Sequence, residues 1–149
     1  MENFDNPDIL IVEDDKNDAM LIMRTLRKIN LANNLLHLKD GAEALDFLFA
    51  RNKFSSRNML NLPKVILLDI KMPKVDGIQV LKQLKAHEIL KMIPVVMMTS
   101  SKLENDVISS YNLGVSSFVV KPVEFESFAK AVSEVGMYWL LINQPPVVK

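Results

Sequence analysis

Cysteine is absent from all 149 residues, which removes disulfides, thiol nucleophiles and cysteine-bound zinc together. Histidine is nearly as scarce, with only His37 and His87 able to supply imidazole. There is no excess of charge, since 18 basic residues balance 18 acidic ones. That balance gives no electrostatic case for nucleic acid or an anionic membrane. No apolar run approaches the ~18 residues a membrane span requires. The polar first eight residues lack the basic and apolar regions of a signal peptide, so a cytoplasmic location is the expectation. What remains is 49% hydrophobic and 24% charged, the composition of a globular domain of ordinary size.

The apolar residues are organised in short unalternating runs. Val65-Ile66-Leu67-Leu68 ends abruptly in Asp69, and Pro73 soon stops any continuation. A run without polar alternation predicts a strand covered on both faces. Residues 8–12 repeat the pattern and end in Glu13-Asp14-Asp15; residues 94–98 end in Thr99-Ser100-Ser101; residues 117–120 end in Lys121-Pro122. A weaker strand is predicted over 34–38, before Asp40-Gly41.

Helical spacing fills the intervals. Ala19, Ile22, Met23, Leu26 and Ile29 follow Asn17 and Asp18, candidate caps or first-turn residues, and Asn30 closes that helix. A second helix runs over 42–50 and a third from Gly77 to about Leu90, with Asp76 as its cap. A short one through Val107, Ile108 and Tyr111 ends at Gly114, a natural left-handed cap. The last, over 124–141, carries Phe125, Phe128, Val132, Val135, Tyr138 and Trp139. The polar stretch 52–62 reads as an enlarged surface loop, and the Pro145-Pro146 tail as extended chain. Five strands alternating with helices imply right-handed crossovers and a doubly wound parallel α/β sheet with helices on both faces. A single domain over 1–149 is expected, with its core at about 8–141 and a tail over 142–149.

Chemistry in such sheets belongs to the carboxyl ends of the strands. Those ends carry Glu13 and Asp14, then Asp69, Thr99 and Lys121, while the second strand offers nothing comparable. If the first and third strands are neighbours, three carboxylates share one pocket, and their repulsion calls for a cation. All-oxygen ligands suit a hard ion such as Mg²⁺. Lys121 adds a point charge suited to a phosphoryl oxygen, and Thr99 adds a hydroxyl. Such a set suits phosphoryl transfer onto Asp69, where positioning and charge neutralisation do most of the catalysis. Taken singly, Glu13 and Asp14 could be capping acids, Thr99 a strand-end hydroxyl and Lys121-Pro122 a surface turn. Their joint occurrence at strand ends, in this chain order, favours the chemical reading.

Together, Glu13-Asp14, Leu68-Asp69, Met72-Pro73, Asp76-Gly77, Thr99-Ser100 and Lys121-Pro122 resemble the receiver domain of two-component response regulators, over about residues 9–135. The resemblance implies a flavodoxin-like five-stranded sheet of order 2-1-3-4-5. It implies that Asp69 accepts a phosphoryl group from a phosphohistidine on a sensor histidine kinase and later loses it to water. The domain would then catalyse only its own aspartyl phosphorylation and dephosphorylation. It further implies that Asp14 and Asp69 ligate Mg²⁺ directly, with Glu13 acting mainly through water and Lys71 through its backbone carbonyl. Thr99 and Lys121 would contact the phosphoryl group, and the Lys121-Pro122 bond would be cis. Phe118 would rotate inward as Thr99 moves, which makes the face of the fourth helix, fifth strand and fifth helix the output surface.

Lys71 and Ser101 depart from the commonest family pattern, and both are expected to influence the lifetime of the phosphate. The loop over 52–62 and the aromatic stretch 136–141 resemble stand-alone receivers that partner phytochrome-type kinases. Exposed aromatics there would support a homodimer through the final helix and tail. No DNA-binding segment is expected to follow the final helix, so output is expected to pass through another protein. Two rivals remain at this stage. A Mg²⁺-dependent phosphohydrolase with an aspartyl nucleophile would want an acid where Lys71 stands. A degenerate receiver that is never phosphorylated would not need the complete set of acids, hydroxyl and lysine. His37 and His87 are too scattered to form a phosphotransfer module, and are expected to be solvated or half-buried.

Overall fold

The computed structural model describes residues 7–28, 34–99, 109, 111–115, 117–121, 126–127 and 130. Five strands, β1 (Ile9–Val12), β2 (Leu35–Leu38), β3 (Val65–Asp69), β4 (Val95–Thr99) and β5 (Ser117–Val120), form one sheet of order β2-β1-β3-β4-β5. Every neighbouring pair is parallel. Three helices are described in full: α1 (Lys16–Lys28), α2 (Gly41–Leu48) and α3 (Gly77–Lys85). All residues of β1, β3 and β4 are buried, so both faces of the central strands are covered, as their unbroken apolar runs require. Leu10, Val12, Ile66, Leu68, Val95 and Met97 pack with α2 and α3 in one cluster. Ala19, Ile22 and Leu26 of α1 are buried outside that cluster, as expected of a helix on the opposite face. No described helix is long and apolar enough to cross a membrane.

Several boundaries differ from those predicted, each for a local reason. The cap of α1 is Asp15, whose Oδ1 accepts the Asp18 N–H at 3.0 Å. Asn17 and Asp18 are therefore first-turn residues. The cap of α3 is Asp76 as predicted, within a capping box closed by Gln79. That helix stops at Lys85, about five residues earlier than its periodicity suggests. His87 ends it, because its Nδ1 accepts the N–H groups of Ile89 at 3.1 Å and Leu90 at 3.2 Å. Those amides thereby lead into a short 3₁₀ turn, Leu90–Met92. Gly114 adopts φ +84, the left-handed conformation predicted for it. Asn30, Val107, Ile108, Pro122, most of the final helix and the tail lie outside the described residues.

The stretch over 52–62 is more than a polar surface loop. It opens with a 3₁₀ turn, Asn52–Phe54, and buries Phe54. Arg57 is 6% exposed. Its guanidinium stacks 3.7 Å from the Phe47 ring centre and donates to the carbonyls of Phe47 and Asn61. A planar group that can stack and donate at once makes this burial possible, and it ties the loop to the end of α2.

That end of α2 is closed by Ala50 in a left-handed conformation, φ 52. The Ala50 N–H donates to Phe47 O at 3.2 Å and the Arg51 N–H to Asp46 O at 2.7 Å, a Schellman closure built without glycine. The left-handed region costs an L-residue about 1 kcal/mol. Ala50→Gly should therefore stabilise the fold by up to about 1 kcal/mol, partly offset by the freer unfolded chain. Urea unfolding followed by circular dichroism measures this, and a loss of stability would contradict it.

Candidate functional site

Parallel register carries the acids to one place. Val12 of β1 is paired with Leu68 of β3, so the next residues, Glu13 and Asp69, leave the sheet side by side. Carboxylate oxygens of Glu13, Asp14 and Asp69 lie within 4.8 Å of one another. Asp14 is exposed, whereas Glu13 is 0% and Asp69 3% exposed. Lys121 follows β5 directly, and its N–H donates to Thr99 O at 2.7 Å, which ties it to the end of β4. Its Nζ lies 3.3 Å from Asp69 Oδ2 and 3.3 Å from Asp18 Oδ2, and is in ionic contact with Glu13 Oε1. Glu13 Oε1 has that ammonium as its neighbour but no hydrogen bond of ordinary geometry. Thr99 is buried at the last position of β4, and the Lys71 side chain is exposed beyond β3.

The five predicted strand-end residues thus sit on one rim of the sheet, and Glu13, Asp14, Asp69 and Lys121 meet. Ser101 and Pro122 lie outside the described residues. Sequence reasoning missed Asp18, the third carboxylate against this lysine beside Glu13 and Asp69. Its position in the first turn of the helix that follows Glu13-Asp14 was the available signal. Gly77, expected from the sequence as the helix start after Asp76, has a packing role that the sequence did not reveal. A Cβ there would stand 2.1 Å from the Asp69 carbonyl oxygen, so only glycine lets α3 begin this close to the end of β3. His37, set aside as solvated or half-buried, is half-buried, but its Nε2 lies 2.7 Å from the Glu13 carbonyl oxygen.

The electrostatics follow from burial. Removal from water pushes the Glu13 carboxyl up to about 7, assisted by the charge of Asp69 and opposed by Lys121 and the Asp15 N–H. Burial also raises Asp69, against the pull of Lys121. Burial disfavours the Lys121 ammonium, but the Glu13 contact and the charges of Asp69 and Asp18 outweigh it and hold its pKa above the ordinary value. Three carboxylates, those of Glu13, Asp18 and Asp69, therefore contact one ammonium, with Asp14 beside them, and Glu13 and Asp69 are kept from water. An all-oxygen donor set with surplus negative charge and an under-satisfied buried oxygen fits a hard divalent cation.

Residues 9–133 match the family model described as the response regulator receiver domain. The chain is 40% identical over 138 residues to the probable methanogenesis regulatory protein FilR2 of Methanothrix harundinacea, covering 93% of this chain and 86% of that protein. It is 37% identical over 132 residues to response regulator Rcp1 of Synechocystis, covering 89% and 88%. The solved Mn²⁺-bound form of response regulator Rcp1 aligns with a TM-score of 0.73 at 33% identity, over 95% of this chain and 98% of that one. The bacteriophytochrome response regulator RtBRR aligns with a TM-score of 0.83 at 47% identity, over 95% and 84%.

A stability measurement reports on the buried acids. The folded chain holds the Glu13 proton to about pH 7, against 4.5 when unfolded. Its contribution is therefore complete below about pH 4.5 and lost as pH rises through 7. Asp69 shifts in the same direction. With divalent ions chelated, the Tm should fall as pH rises from 4.5 to 7, and Glu13→Gln should flatten that slope. Thermal melts across this window check it; equal slopes in both proteins would contradict it.

Proposed function

The chain belongs to the response regulator receiver family of two-component signalling, and from that premise we propose that Asp69 is its phosphoryl acceptor. The observation that carries this reading is the convergence of Glu13, Asp14 and Lys121 on the Asp69 carboxylate at the carboxyl edge of the sheet. A carboxylate oxygen of Asp69 attacks the phosphorus of a phosphohistidine. The P–N bond breaks, its electron pair returns to the imidazole, and an aspartyl phosphate forms. Attack of water at phosphorus later releases inorganic phosphate and restores the carboxylate. Lys121 Nζ, already 3.3 Å from Asp69 Oδ2, neutralises the phosphoryl oxygens, and Thr99 donates its hydroxyl to them.

The resident ion of this reading is Mg²⁺, which Asp14, Asp69, Glu13 and the Lys71 carbonyl would hold. When bound it supplies charge neutralisation and a template for the phosphoryl oxygens. A Mn²⁺-bound form of the relative Rcp1 supports an ion in this pocket. The likeness to Rcp1 and to a bacteriophytochrome response regulator supports a phytochrome-like sensor histidine kinase as the donor. The remaining reading is a single receiver domain acting in the cytoplasm, with catalysis limited to its own phosphorylation state and output through another protein. The output face is the one carrying Phe118, whose ring now meets Tyr111 edge-on at 5.6 Å. Lys71 in place of a second acid argues against a phosphohydrolase.

Incubation with acetyl phosphate and Mg²⁺, followed by intact mass measurement, tests the acceptor. One labile phosphate should add to the unsubstituted chain and none to Asp69→Asn, while Asp14→Asn or chelation of Mg²⁺ should lower the yield at least tenfold. A phosphate retained by Asp69→Asn would overturn the assignment.

A homodimer through the final helix and tail belongs to the same proposal. Removal of residues 138–149 should convert the dimer mass in solution to that of a monomer. A monomeric intact chain would dispose of the idea.

A further inference from the structure

We infer that His37 is a positioning residue for the divalent-ion pocket, acting through the peptide group that joins Glu13 to Asp14. This rests on the reading of Glu13, Asp14 and Asp69 as that pocket.

The sheet itself leaves the Glu13 carbonyl without a ladder partner. The last bond of the β1–β2 ladder on this side runs from the Glu13 N–H to Leu38 O at 3.1 Å. Continuation of the parallel pattern would bring the N–H of residue 40 to Glu13 O. By then the chain has turned away: the Lys39 N–H donates to Glu43 Oε1 at 2.9 Å, and Asp40 caps α2. His37 Nε2 stands 2.7 Å from Glu13 O. A carbonyl oxygen can only accept, so Nε2 carries the proton and donates.

The peptide plane makes this bond consequential. Glu13 C=O and Asp14 N–H are fixed in one rigid plane, so holding the carbonyl sets the direction in which the chain delivers Asp14. The two acids flank that plane, one buried and one exposed. Two further ties hold the turn: the Glu13 N–H to Leu38 O, and the Asp15 N–H to Glu13 Oε2 at 3.1 Å. Neither restrains the Glu13 carbonyl. Among the hydrogen bonds described, the imidazole from the edge strand β2 does so. Three acids at mutual distances under 4.8 Å repel one another, and an unrestrained peptide would let Asp14, the exposed one, swing outward into water. His37 opposes that swing without touching the ion.

Glutamine places its amide nitrogen about as far along the side chain as histidine Nε2, whereas asparagine places it nearer the main chain. Calorimetric titration of the whole chain with MgCl₂ alone should therefore give an affinity about tenfold weaker for His37→Leu and His37→Asn. His37→Gln should stay within about twofold of the unsubstituted chain. Circular dichroism melts of all three identify any variant that fails to fold, and the His37→Gln against His37→Asn comparison then rests on the folded proteins. A role confined to anchoring β2 would change Tm and leave Mg²⁺ affinity unmoved. Unchanged affinity in His37→Asn, or equal loss in His37→Gln, overturns the inference while leaving the pocket intact. Absence of Mg²⁺ binding by the unsubstituted chain overturns the pocket reading and this inference with it.

Discussion

One ammonium holding several carboxylates at the edge of an apolar sheet is the interaction on which this molecule turns. The central strands are buried throughout, so no charge can be accommodated along their length at acceptable cost. Charge is admitted only where the strands end, and there β1 and β3 deliver Glu13 and Asp69 in register. Lys121 is the counter-ion that makes their burial tolerable, yet it meets three carboxylates with three N–H groups. Burial, assisted by the neighbouring acids, raises the pKa values of Glu13 and Asp69. A proton on a buried acid or a divalent cation can relieve this burial of charge, and the cation does so while leaving both carboxylates ionised.

The parts of this arrangement that depend on buried apolar runs were legible in the sequence. A strand covered on both faces announces itself by lacking alternation, and the residue at its end is then the first exposed to chemistry. Asp69, Glu13 and Lys121 could be named for that reason, and Asp76 because a cap needs an acceptor at one defined position. What could not be read depends on side chains that cross between elements. Asp18 looks like any first-turn acid until β5 is known to end opposite it. His37 looks solvated until β2 is known to turn away before satisfying the Glu13 carbonyl. Arg57 looks polar and exposed until Phe47 is seen beneath it. His87 ends α3 through a local hydrogen bond that competes with a helical period otherwise running on through Ile89. Each miss is a case where a polar group's partner, rather than its own hydrophobicity, decides its place.

The same geometry explains how a change at one carboxylate reaches a surface. Lys121 is held at its ammonium by Asp69 and at its N–H by the carbonyl of Thr99. Three residues earlier on the same chain, Phe118 packs edge-on against Tyr111, and Tyr111 is exposed. In the proposed reaction a new negative charge on Asp69 would act on the ammonium, the opposite charge 3.3 Å away. Movement there would pass through one backbone bond to the end of β4 and through three residues of β5 to an aromatic pair at the surface. No long pathway is needed, since the site and the face are opposite ends of four consecutive residues. The proposed switch therefore requires only that Phe118 have two packing positions of similar energy, and a ring met edge-on by a half-exposed neighbour, rather than locked within the core, is suited to that.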